Sequence, residues 1–138
     1  MRVLVDTTIW SLALRRRRPK PQEQVLIDEL TELIEELRAV LIGPIRQEVL
    51  SRIPDVTNFD AVKRHLAAFD DLPIVGADYE EAARLFNVCR KQGVQGSHVD
   101  FLICTVALRY SATIFTTDKD FKDYAKHLDL ELHRSRRG

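Results

Sequence analysis

Val3-Leu4-Val5-Asp6-Thr7-Thr8 decides how the rest of the chain is read. Successive side chains of a strand point to opposite faces, so an unbroken apolar run suits a strand covered on both sides. This run ends on a carboxylate, Asp6. In open α/β sheets, ligands bind outside the carboxyl ends of the strands. A buried first strand that delivers an acid to that edge is one wall of a candidate site.

Working outward, short apolar runs at 39–42, 72–75, 113–116 and 130–132 are the further strands expected. Helical periodicity fills the intervals. Residues 22–38 carry Leu26, Leu30, Leu33, Ile34 and Leu37 at the spacing of one buried stripe. Glu29, Glu32, Glu35 and Glu36 take the other sides, as on a solvated helix face. A helix at 45–53 turns Ile45, Val49 and Ile53 inward and sets Glu48 about 60° from that stripe, at its rim. Thr7 or Thr8 could cap a short helix after the first strand, and Thr57 or Asn58 a later one. Residues 78–92 form a further helix. The helix at 98–110 is apolar nearly all round, so it is expected to be buried. Strands alternating with helices give a mostly parallel sheet covered on both faces.

The 138 residues suit one domain, placed at 1–133, with a basic disordered tail at 134–138. Net charge is zero, so bulk charge selects no partner. Local charge is uneven. Arg15, Arg16, Arg17, Arg18 and Lys20 form one basic block, and Arg134, Arg136 and Arg137 another. Two cysteines, Cys89 and Cys104, show no paired spacing, which fits a reducing compartment better than a disulfide framework. The first strand leaves no room for a signal peptide, and no apolar run nears the ~18 residues of a membrane span. A cytoplasmic protein is expected.

Four acids share the carboxyl edge of such a sheet. Asp6 and Asp118 end strands, Glu48 lies one turn into a helix that follows a strand, and Asp100 lies in the first turn of the buried helix. Each alone has an ordinary explanation. Ser97-His98-Val99-Asp100, for example, fits a capping box. Together they would repel one another at neutral pH unless a hard divalent cation joined them. Oxygen ligands with no cysteine or histidine cluster favour Mg²⁺ or Mn²⁺ over zinc.

These segments resemble the PIN-domain family, in particular the VapC-type toxins of toxin–antitoxin modules. The matching pieces are Val5-Asp6-Thr7-Thr8-Ile9-Trp10, Gln47-Glu48-Val49, His98-Val99-Asp100-Phe101-Leu102-Ile103 and Thr116-Thr117-Asp118-Lys119-Asp120-Phe121. The resemblance runs the whole chain. It implies a three-layer α/β/α sandwich with four to five strands in the order 3-2-1-4-5. It also implies Mg²⁺- or Mn²⁺-dependent RNA cleavage, a homodimer and a cognate antitoxin. It assigns Asp6, Glu48, Asp100 and Asp118 as the catalytic acids, with Asp6, Asp100 and Asp118 on the metal. Thr116, Asp120 and Thr8 are supporting positions.

The expected chemistry is hydrolysis of an RNA phosphodiester, which leaves a 5′-phosphate and does not need the 2′-hydroxyl. Arg15, Arg16, Arg17 and Arg18 are candidates for phosphate contact; a solvated basic loop or an antitoxin surface is the competing reading. Arg46 and His98 read as structural. An apolar patch near Trp10 and Leu14 would suit a dimer or antitoxin groove. Two other classes remain. A non-cleaving PIN-like module would bind RNA or protein only. An aspartate-based phosphohydrolase would want an Asp-x-Asp signature, and Thr8 stands where its second acid belongs.

Overall fold

The computed structural model describes residues 1–15 and 17–136. Strand β1 (Val3–Val5) runs between β2 (Ala39–Val40) and β3 (Thr113–Phe115), parallel to both. The register pairs Val3 with Ala39 and Thr113, and Leu4 with Val40 and Ile114. Val3, Leu4 and Val5 are wholly inaccessible to solvent. A strand can be so only when both faces of its sheet are covered, as the apolar run predicts.

The cover comes from two groups of helices. In the first, α1 (Thr7–Leu14) packs on α2 (Pro21–Glu35) and α3 (Gly43–Ser51), and α3 on α4 (Val56–Leu66). In the second, α5 (Gly76–Lys91) packs along α6 (His98–Arg109), the buried helix, which also meets β3. Helix α7 (Asp120–Ala125) closes the site end with Phe121 and Tyr124, both fully buried. No helix among the described residues is long and apolar enough to cross a membrane.

The sheet is narrower than expected, though its order holds. The segment at 72–75 forms no strand; a single parallel bridge pairs Leu41 with Asp71 just before it, and the Leu72 N–H bonds the Leu41 carbonyl at 2.9 Å. Pro73 follows directly and has no N–H to extend a ladder. On the other side, 130–132 contributes one bridge, Ile114 with Leu132. Two full strands of the expected five are thus reduced to touches on the outer sides of β2 and β3.

Helix α2 ends at Glu35, short of the 38 expected, because Leu37 adopts a left-handed φ of 59°. Its N–H bonds the Ile34 carbonyl and the Arg38 N–H bonds that of Leu33, which satisfies the last turn. Leu37 is therefore not in the buried stripe; it is 91% exposed. The α4 cap is Asp55, which accepts from the Asn58 N–H at 2.8 Å, in place of Thr57 or Asn58. Asp6 itself holds the cap position of α1, ahead of Thr7 and Thr8.

The tail also departs from expectation. The His133 N–H bonds the Ile114 carbonyl at 2.7 Å, and His133 Nε2 lies 2.6 Å from Glu29 Oε2. Arg136 reaches Glu29 at 3.1 Å and Glu36 at 3.0 Å. The basic end is thus clamped to the acidic side of α2 as far as Arg136; Arg137 and Gly138 lie outside the described residues. Glu29, expected on a solvated face, has no exposed surface beneath this clamp. Burial raises its pKa, but the bonds from His133 and Arg136 outweigh that and hold the carboxyl below its ordinary value.

Candidate metal and nuclease site

The carboxyl ends of β1 and β3 lie side by side, so whatever follows each strand meets. The Asp6 N–H bonds the Phe115 carbonyl at 2.9 Å, the last rung before the two chains part. After β1 the chain turns at once into α1, which places Thr8 in its first turn facing the segment beyond β3.

Two hydroxyls stitch these ends together. Thr116 Oγ1 accepts the Asp118 N–H at 3.0 Å and donates to Asp6 Oδ2 at 2.7 Å. Thr8 Oγ1 accepts the Thr117 N–H at 3.0 Å and donates to the same oxygen at 3.1 Å. Each hydroxyl has one proton to give, so both protons go to Asp6 and the 3.3 Å Thr8–Thr116 contact is a consequence of that sharing. Thr116, a supporting position by the family resemblance, thus holds Asp118 through its backbone N–H and also fixes the Asp6 carboxylate.

Asp6 is buried, at 7% exposure. Burial raises its pKa, the two threonine bonds oppose the rise, and the charge of Glu48 adds to it. Asp100 enters from the first turn of α6. The Ser97 hydroxyl caps that helix through the Asp100 N–H at 3.0 Å. The Asp100 carboxylate is meanwhile engaged by the Tyr124 hydroxyl at 2.6 Å. Cap and site residue are therefore compatible roles for this one position. Burial raises the Asp100 pKa, and the charges of Asp118 and Asp6 raise it further.

Oxygens of Asp100, Asp118 and Asp120 all lie within 4.8 Å of one another. Asp120 is exposed, and its N–H donates to Asp118 Oδ1 at 2.9 Å. The tight group is thus Asp100, Asp118 and Asp120, with Asp6 joined to it through Thr116. Asp120, read from sequence as a supporting position, lies within this tight group, and Asp6 stands beside it. Glu48 is at the rim, as its helix phase implies. It is half-exposed and paired with Arg52 at 2.7 Å.

The remaining expectations sort by contact. Arg46 braces the loop after α4, with bonds to the carbonyls of Leu66 and Phe69 and to Asp71. His98 stacks on Phe86. Trp10 is buried, its indole N–H bonded to the Val5 carbonyl, so it forms no surface patch. Leu14 does line a groove of about 450 Å³ with Ser11, Val49, Arg52 and Ile53. Arg15 and Arg17 both bond Glu23 at 3.1 Å, Arg18 is exposed, and Arg16 lies outside the described residues. Tyr124 was not found from sequence; its contact with Asp100 spans 24 positions and leaves no local pattern.

A parallel α/β domain that gathers acids from distant segments at one sheet edge defines a class of metal-using folds. The PIN-domain profile matches residues 3–127, and the chain belongs to the PIN-domain family. It is 26% identical over 133 residues to the VapC ribonuclease Mb1587 of Mycobacterium bovis, covering 94% of this chain and 96% of that protein. Ribonuclease VapC11 of Mycobacterium tuberculosis matches equally. Among solved structures, FitAcB of Neisseria gonorrhoeae superimposes with a TM-score of 0.76 at 19% identity, over 96% of this chain and 97% of that one. VapBC2 of Rickettsia felis, bound to a DNA fragment from their promoter, gives 0.73 at 16% identity, over 96% and 98%. These structural likenesses speak to the fold.

Proposed function

We propose that this chain is a Mg²⁺- or Mn²⁺-dependent endoribonuclease and the toxin of a type II toxin–antitoxin pair, acting in the cytoplasm. The observation that supports it most is the convergence of Asp6, Asp100, Asp118 and Asp120, drawn from three separate segments of the chain onto one edge of the sheet. The donor set is all carboxylate oxygen, which fits a small hard cation. Asp100 and Asp118 would hold it, with Asp120 from the open side and Asp6 from the buried side.

When bound, the ion stabilises charge developing on the phosphate and lowers the pKa of a coordinated water. The protein's own part is geometric. Thr8 and Thr116 fix the Asp6 carboxylate and oppose the rise that burial gives its pKa. Glu48, at the rim, would complete the cage or orient the attacking water. Arg15, Arg17 and Arg18 would meet phosphates of the RNA; Arg15 opens onto the groove beside Leu14. A cognate antitoxin and a homodimer are the partners this reading carries, from the likeness to proteins named VapC ribonuclease.

Labelled RNA incubated with the purified chain tests the reading. Cleavage is expected with Mg²⁺ or Mn²⁺, none in EDTA, and at least 100-fold less for Asp118→Asn. RNA bound but uncut in every metal would identify a binding module instead.

A further inference from the structure

Among the described residues Tyr124 is the largest fully buried side chain, yet its polar end is spent on the site. The hydroxyl donates to Asp100 Oδ2 at 2.6 Å, at the short end for a charge-assisted bond. The ring cannot turn away from it. Phe101 lies 4.8 Å from its centroid in a tilted contact, and Phe121 lies 5.1 Å away edge-on. On the remaining side stands Gly96. A β-carbon there would run into the Tyr124 hydroxyl and come within 2.6 Å of Cζ and 2.9 Å of Cε1. The φ of Gly96 lies outside the left-handed region, so backbone conformation does not demand glycine at this position; space does.

We propose that Tyr124 is a positioning residue for the cation site: its hydroxyl holds Asp100 through Oδ2 and so fixes the direction in which that carboxylate meets the ion, and the bare backbone of Gly96 provides the slot the tyrosine occupies. This inference rests on the metal-dependent reading above. A ligating carboxylate that can rotate offers its oxygens to the ion only part of the time. One that is hydrogen-bonded through one oxygen presents the other in a fixed direction, and loss of such an outer partner typically weakens metal binding about 10- to 100-fold. The phenylalanine variant keeps the ring and its packing and removes only the donor.

Mn²⁺ titration of the full chain, followed by the electron-paramagnetic signal of the free ion, separates the possibilities. Tyr124→Phe is expected to weaken Mn²⁺ binding at least 10-fold. In an Asp100→Asn background the same change should have no further effect, because the oxygen it orients has lost its role. Gly96→Ala should weaken Mn²⁺ to a similar extent by displacing the ring. Wild-type affinity in Tyr124→Phe, or an equal loss in both backgrounds, overturns the inference while leaving the metal site standing. Wild-type affinity in Gly96→Ala overturns the part given to the slot. Failure of the wild-type chain to bind Mn²⁺ overturns the metal reading itself, and the inference with it.

Discussion

Asp100→Asn should make the metal-free protein more stable and the metal-loaded protein less so. Asp100 and Asp118 hold carboxylate oxygens within 4.8 Å. Two unit charges at that distance repel by about 0.9 kcal/mol in bulk water and about 3.5 kcal/mol at an effective dielectric of 20. Both groups are half-buried, so about 1–2 kcal/mol is relieved when one becomes an amide. Against this stands a loss of roughly 0.3–1 kcal/mol, because Asp100 sits in the first turn of α6 and complements its dipole. The Tyr124 bond survives, since the amide oxygen also accepts. The net gain in EDTA is about 1 kcal/mol. With Mn²⁺ at 100 times its dissociation constant, the wild type gains about 2.7 kcal/mol, which the variant largely forgoes. The order of stability therefore reverses on adding metal. Urea unfolding at pH 7.5, with EDTA and then with Mn²⁺, measures both. A variant less stable than wild type in EDTA, or stabilised equally by Mn²⁺, refutes the reasoning.

The remaining expectations concern the scaffold. Leu37→Gly should raise stability by about 0.5–1 kcal/mol in urea unfolding, because a left-handed φ penalises a leucine and not a glycine; a neutral or harmful effect would count against it. Glu29→Gln should cost about 2 kcal/mol and speed proteolysis of 131–136, since His133 and Arg136 lose the buried charge they clamp. Acid titration in EDTA should show two opposing trends. Glu29 and Asp78 have folded pKa values below their unfolded ones, so their stabilisation, present above about pH 4.5, is lost as pH falls through the folded values. Asp6 and Asp100 have raised values, so the folded state keeps their protons longer, and stability falls as pH rises above about 4 through those values. Urea midpoints against pH should show a shallower neutral-side fall in Asp100→Asn than in wild type.

Features governed by local pattern were legible in the sequence. An all-apolar run ending in Asp6 gave the central strand, and a helix without a polar face gave the buried α6. Glu48 came out at the rim because helix phase is a local quantity. Features set by distant partners were not legible. Leu37 fits the stripe of α2 by spacing, and nothing in the spacing says where the helix stops. The outer strands were read from apolar content, but Pro73 lacks the hydrogen a ladder needs. Glu29 looked solvated because the arginine that covers it lies 107 positions away. Tyr124 was passed over for the same reason. A glycine just before the Ser97 cap and a tyrosine six positions past Asp118 were the only traces of that contact.

The central place of β1 has a consequence for the order in which the chain is made. Asp6 leaves the ribosome well before the hydroxyl of Thr116 and the carboxylates of Asp100, Asp118 and Asp120, which lie far downstream of it. A nascent polypeptide has its earliest acid in place and nothing to share an ion with it. If the proposed nuclease reading holds, a polypeptide that stops short of Asp100 has no partner acids for Asp6, and cutting is expected only once α7 has been made.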